Sequence, residues 1–139
     1  MAFISIFILL AAHCIGDYPL QGEFLAAHKG ENNVILLVHC IIYTACVLAG
    51  FVIALPLVSS QVNETILLTI MTIILVSHFI IDKHKCEFIK KLDKDYTKDM
   101  EQKKELLVCS FYEDQMYHIV TICTIMILIV CYNYFVFIS

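Results

Sequence analysis

The sequence predicts an all-α, polytopic membrane protein built as a four-transmembrane-helix bundle, and three observations predict it. Of the 139 residues 60% are apolar and only 16% charged, and the mean hydropathy is +0.84, a composition suited to a bilayer rather than to water. The apolar residues fall into four long blocks, 1–15, 34–58, 65–81 and 116–138, separated by polar stretches. The few ionisable residues within or beside these blocks gather at one end of each. The chain therefore reads as one integral membrane domain, 1–139, with helices at about 1–16, 34–58, 65–86 and 106–138 and a Lys-rich connection at 83–105.

The first block has no Lys or Arg before it and no small-residue cleavage site, so it is expected to be retained rather than removed as a secretory signal. Fifteen helical residues rise only about 22 Å. Against a hydrocarbon core of about 30 Å, that helix must continue past Gly16, tilt little or thin the bilayer. The second and third blocks are long enough to cross, and "PLVSSQVNE" between them, residues 56–64, makes a short turn. The Lys-rich connection mixes its charges with Cys86, Phe88, Ile89 and Leu92, as a solvated or headgroup-lying extension of a helix would. The fourth block closes with Tyr132 and Tyr134, an aromatic belt. The seven cysteines form no C-x-x-C pair and read as reduced apolar fillers.

Orientation follows from the nine lysines, the only Lys or Arg residues present. Lys29 lies between blocks one and two, the other eight lie between Lys83 and Lys104, and none lies between blocks two and three. The positive-inside rule then makes connections 16–33 and 83–115 cytoplasmic and puts both termini outside, in a multi-pass arrangement suited to a bacterial-type inner membrane.

With that topology, all four helices carry their polar groups near the cytoplasmic face. His13 and Asp17 end the first helix, His39 lies near the start of the second, His78 and Asp82 end the third, and Asp114, Gln115 and His118 start the fourth. Residues four apart on a helix are offset by about 40° and about 6 Å, so His13/Asp17, His78/Asp82 and Asp114/His118 each share one face. The same geometry lets one helix offer two ligands to one metal. A single His at a helix end commonly snorkels to the interface, and a lone Asp there caps or pairs with a lysine. A whole set of ionisable residues at one membrane depth is costly, and points to partners and function.

The expected centre therefore binds a divalent metal through His13, Asp17, His39, His78, Asp82 and His118, with zinc the first candidate and manganese or iron the others. This is more than one zinc needs, so either two metals share the site or some groups orient the ligands or act as a general base, with Asp82 and Asp114 the candidates for those roles. Helix one ending in H-x-x-x-D before a helix bearing His39 is echoed by helix three ending in H-x-x-x-D before a helix bearing His118, which suggests two pseudo-repeated hairpins.

At these residues the sequence resembles a known family. "HCIGDYPLQGEFLAAHK", His39 with Tyr43, "HFIIDKHK" and "DQMYH" look like the signature of domain-of-unknown-function family 3307, small bacterial and phage integral membrane proteins. The resemblance spans nearly the whole chain apart from the Lys-rich connection. It maps His13, Gly16, Asp17, Gln21, Lys29, His39, His78, Asp82, Lys85, Asp114, Gln115 and His118 onto the family pattern, making Gln21, Lys85 and Gln115 supporting residues. It implies no established activity.

Three functional classes remain. The first is a metal-dependent hydrolase acting on an inner-leaflet lipid or a phosphate-bearing substrate, with Lys83 and Lys85 available to hold an anionic group. The second is a noncatalytic structural or regulatory membrane protein pinned by its metal. The third is a metal or proton transporter, against which the outer halves of the helices offer no polar relay. The lipid bilayer is a partner in every case, and assembly into a homo-oligomer is left open. No phosphate-cradling glycine loop, nucleophile elbow or basic groove for nucleic acid is present.

Overall fold

The computed structural model describes residues 2–57 and 63–138. Among them helices are the regular secondary structure: α1 Ala2–Asp17, α2 Gly22–His28, α3 Asn33–Ala54 continued by a 3₁₀ turn Leu55–Leu57, α4 Glu64–Asp93 and α5 Met100–Ile138. Most of the 56–64 turn lies outside the described residues. Three segments, Asn33–Leu57, Glu64–Asp93 and Met100–Phe135, are long and apolar enough to cross a membrane, and a fourth is added if α1 and α2 together form one bent span.

The helices begin and end where local chemistry directs. The Asn32 side chain accepts from the Val34 N–H at 2.7 Å and that of Asn63 from the Ile66 N–H at 2.9 Å, capping α3 and α4. Asp99 and Gln102 form a reciprocal capping box at the start of α5: the Gln102 N–H donates to Asp99 Oδ1 at 2.8 Å and the Asp99 N–H to Gln102 Oε1 at 3.2 Å. The Lys-rich connection is therefore mostly helix. α4 runs on from the expected end at 86 to Asp93, and α5 starts at Met100 rather than 106. The intervening Lys, Glu and Leu residues are good helix formers.

The short α2 was not expected. Pro19 and Gly22 interrupt the first span, Gly22 taking the left-handed φ of +61°. α2 leaves the axis of α1 at 76°. This bend returns the chain toward the core and delivers Lys29, at the C-cap of α2, beside the polar cluster.

α1 packs on α3, α3 on α4, α4 on α5, and α5 returns to α1. α1 and α3 approach closely. A Cβ at Gly50 would fall 2.7 Å from the Cβ of Ala12, and one at Gly16 would fall 3.2 Å from the Tyr43 ring, so glycine at both positions lets the backbones approach. Away from the polar cluster the core is apolar, with Leu9, Val47, Phe51, Ile74, Ile122 and Met126 interlocking. Large apolar side chains such as Phe3, Phe7, Ile53, Ile127 and Leu128 point outward. That much exposed apolar surface suits lipid rather than water. All seven cysteines are free.

Candidate metal centre

Seven ionisable side chains from four helices meet at one level of the core. His13 and Asp17 come from α1, His39 from α3, His78 and Asp82 from α4, and Asp114 and His118 from α5, none more than 4% exposed. Each i,i+4 pair does present both members to the same side, as helical periodicity requires.

Two groups within this cluster have donor atoms close enough to share an ion: Asp17, His39, His78 and Asp82 in the first, and Asp17, Asp114 and His118 in the second. In the first, His39 Nε2 lies 3.0 Å from His78 Nε2, 3.2 Å from Asp82 Oδ2 and 3.4 Å from Asp17 Oδ1, while His78 Nε2 lies 3.8 Å from Asp82 Oδ2. Tetrahedral zinc with bonds of about 2.0–2.1 Å has ligand-to-ligand edges of about 3.3 Å, so these separations fit a metal cage. Hydrogen bonding alone accounts for them poorly. At most one proton lies between the two Nε2 atoms, and Asp17 Oδ1, Asp114 Oδ1 and His39 Nδ1 are buried with no hydrogen-bond partner among the described residues.

Asp82 and Asp17 face both groups. Asp82 turns Oδ2 to His39 and Oδ1 to His118 Nε2 at 3.3 Å, and His118 Nε2 also lies 3.4 Å from Asp114 Oδ1. Asp17 Oδ2 accepts from Gln115 Nε2 at 2.9 Å, and the same amide donates to Asp114 Oδ2 at 3.1 Å. Gln115 thus clamps two carboxylates that would otherwise repel each other.

His13 sits beside the cluster rather than within either group. Its Nε2 is 3.1 Å from Gln115 Oε1, an acceptor only, so Nε2 carries the proton; Nδ1 then accepts from the Tyr43 hydroxyl at 3.0 Å. Both ring nitrogens are engaged, and no lone pair is left for an ion. The Tyr43 ring stacks on His78, centroids 3.6 Å apart and planes 8° from parallel, which holds the His78 ring in place.

Lys29 and Lys85 are the cations of the centre. Lys29 Nζ donates to Asp82 Oδ2 at 2.7 Å and lies 3.2 Å from His39 Nε2. Burial alone would lower the Lys29 pKa, but the Asp82 carboxylate more than offsets this and raises it, so the side chain stays an ammonium. Lys85 Nζ donates to Asp114 Oδ2 at 2.5 Å. Lys83 instead lies over the Phe79 ring, 6.0 Å from its centroid. The proximity of Lys29 to the core follows from the α2 bend, and a lone lysine in "AAHKG" carried little sign of it. A cavity of about 460 Å³ opens beside the centre, lined among others by Asp17, Gln21, Lys29, Lys85 and Gln115. The Gln21 Oε1 is buried there without a partner among the described residues.

Long apolar helices around a buried His/Asp cluster that could hold a divalent metal define the class: an all-helical, membrane-associated protein with a candidate metal centre. Within that class the chain belongs to the family described as Protein of unknown function (DUF3307), whose model matches residues 5–138. No curated protein and no solved structure matches it.

Proposed function

We propose that the protein is a multi-pass, inner-membrane metal-dependent hydrolase whose centre lies near the cytoplasmic face and acts on a lipid or phosphate-containing substrate. The observation that carries the metal reading is the set of 3.0–3.8 Å separations between His39, His78, Asp82 and Asp17 donor atoms from three helices. On this reading the packed helices form a four-transmembrane-helix bundle in which α1 and α2 make the first, bent crossing. The distribution of the lysines supports a cytoplasmic side for connections 16–33 and 83–115, with both termini outside.

The first group would hold one divalent ion and the second, which shares Asp17, a second; zinc is the first candidate by donor type, with manganese and iron next. Such an ion supplies a Lewis acid and lowers the pKa of bound water to about 7. The chain's own residues do the rest. Gln115 holds Asp17 and Asp114 in register, and Tyr43 with Gln115 fixes the His13 tautomer. Asp114, whose Oδ1 makes no hydrogen bond among the described residues and lies 3.4 Å from His118 Nε2, and Asp82 are the candidate bases for a proton from water. The apolar packing of Leu9, Val47, Phe51 and Ile122 beyond the cluster favours a one-sided site over a transport path.

Elemental analysis of the detergent-purified protein tests this, beside His78→Ala and Asp17→Asn variants with helicity checked by circular dichroism. One or two equivalents of metal are expected in the native protein and less than half of that in the variants. A native protein that is metal-free and takes none up on addition removes the hydrolase reading.

A further inference from the structure

We propose that metal loading turns the cavity beside the centre into a receptor for a phosphate group, by releasing Lys29 and Lys85 from the carboxylates that hold them. The inference rests on the metal reading above and adds to it the chemistry of what the site receives.

The two lysines stand against the two candidate groups, one against each. Lys29 Nζ is bonded to Asp82 Oδ2 and lies beside His39 Nε2, two of the donors in the first group. Lys85 is bonded to Asp114, a donor in the second. The Lys29 ammonium competes with a divalent cation for the lone pairs of Asp82 Oδ2, whereas Lys85 holds Asp114 by Oδ2, leaves Oδ1 toward His118, and is loosened by the charge of an ion at close range. Lys29 lies just after α2, in the short connection to α3, so its side chain can turn without moving a long helix. Lys85 retains contact with the Phe111 ring, 5.3 Å from its centroid.

Both lysines line the 460 Å³ cavity, and Asp17 and Gln115 of the centre line it too. With Lys29 paired to Asp82 and Lys85 to Asp114, the remaining charges of the cavity wall are Lys90 against Asp17, Glu31 and Asp93, so the wall is net acidic. Metal at Asp17 and two freed ammoniums would make the inner end cationic, and a half-buried ammonium without a partner is costly. A compact anion relieves that cost. Phosphate fits better than carboxylate, because three non-bridging oxygens can meet the metal centre and both lysines together, whereas a carboxylate has two. The volume exceeds what a phosphate alone needs and leaves room for the group it is attached to. A phosphomonoester has all three oxygens, whether it is the headgroup of a lipid such as phosphatidic acid or part of a soluble ester.

The test measures inorganic phosphate binding by calorimetry on the full-length protein in detergent, metal-free and after zinc loading with excess zinc removed. Metal content is determined on the same samples. At least tenfold tighter binding is expected in the loaded protein. Lys85→Ala and Lys29→Met should each lose at least tenfold while keeping their zinc, and Lys98→Ala, at a lysine paired with Asp95 outside the cavity, should behave as native. A second arm uses zinc-loaded protein in phosphatidylcholine nanodiscs with or without phosphatidic acid. Loss of phosphate binding with phosphatidic acid present identifies the headgroup as the occupant, and unchanged binding identifies a soluble ester. Equal phosphate affinity with and without zinc, or zinc-retaining Lys85→Ala and Lys29→Met variants that bind phosphate as well as native, overturns the inference and leaves the metal reading standing. A chain that binds no zinc overturns both.

Discussion

Replacing Lys29 by methionine should destabilise the metal-free protein yet tighten its hold on metal. The Lys29 ammonium stands 2.7 Å from Asp82 Oδ2, and the two side chains are only 13% and 1% exposed. At that distance and an effective dielectric of about 20, the gross attraction is roughly 6 kcal/mol. Desolvation takes back much of it, and removing one partner of such a buried pair costs about 3–5 kcal/mol because the other charge is stranded. Asp82 would still face His39 at 3.2 Å and His118 at 3.3 Å, which puts the expected cost at the lower end, about 3 kcal/mol. The metal-bound state does not need the lysine, so the penalty falls on the metal-free state alone. By the thermodynamic cycle, about 3 kcal/mol is about a hundredfold gain in metal affinity. Competition against a chelator of known affinity measures the gain, and thermal unfolding with and without metal measures the rest. The metal-free variant should melt below native, with the gap closing when zinc is added. A variant that binds zinc no more tightly than native, or melts at the native temperature without metal, would refute the idea that Lys29 competes for the site.

Gly50→Ala places a methyl 2.7 Å from the Ala12 Cβ and should destabilise the protein, because overpacking of about 1–3 kcal/mol outweighs a helix-propensity gain of up to about 1 kcal/mol. Gly30→Ala, whose Cβ would meet Cys86 at an ordinary 3.6 Å, serves as control, and equal unfolding midpoints for the two would exclude the close α1/α3 approach. Tyr43→Phe keeps the ring on His78 but strips His13 of its donor, so a loss of about 1–3 kcal/mol with metal stoichiometry unchanged is expected. Lost stoichiometry in elemental analysis would mean that the hydroxyl, and not the ring, serves the centre.

Much of the cluster could be read from the chain because charge inside apolar helices is expensive. His78 and Asp82 one turn apart at the end of an apolar run have few explanations that do not involve each other. The helix ends around the Lys-rich connection were less visible, since Lys, Glu and Leu suit both a helix and a solvated linker. The Asp99 and Gln102 capping box carried the missing signal. Pro19 and Gly22 mark a break after α1, but they do not say which way the chain turns, and the 76° bend is what brings Lys29 to Asp82.

Composition and spacing by themselves determined that the chain is all-helical, that its helices are written for an apolar environment, and that three i,i+4 pairs and His39 share one level. These are local properties, set by hydropathy over a block and by 3.6 residues per turn. Only the tertiary structure decided that His13 spends both nitrogens on Tyr43 and Gln115, that Asp17 and Asp82 each face two groups, and that Lys29 and Lys85 occupy the carboxylates. Ligation and ion pairing turn on a few tenths of an ångström between side chains from different helices. Such distances arise from how α1 through α5 pack, and helical periodicity within any one of them does not contain that information.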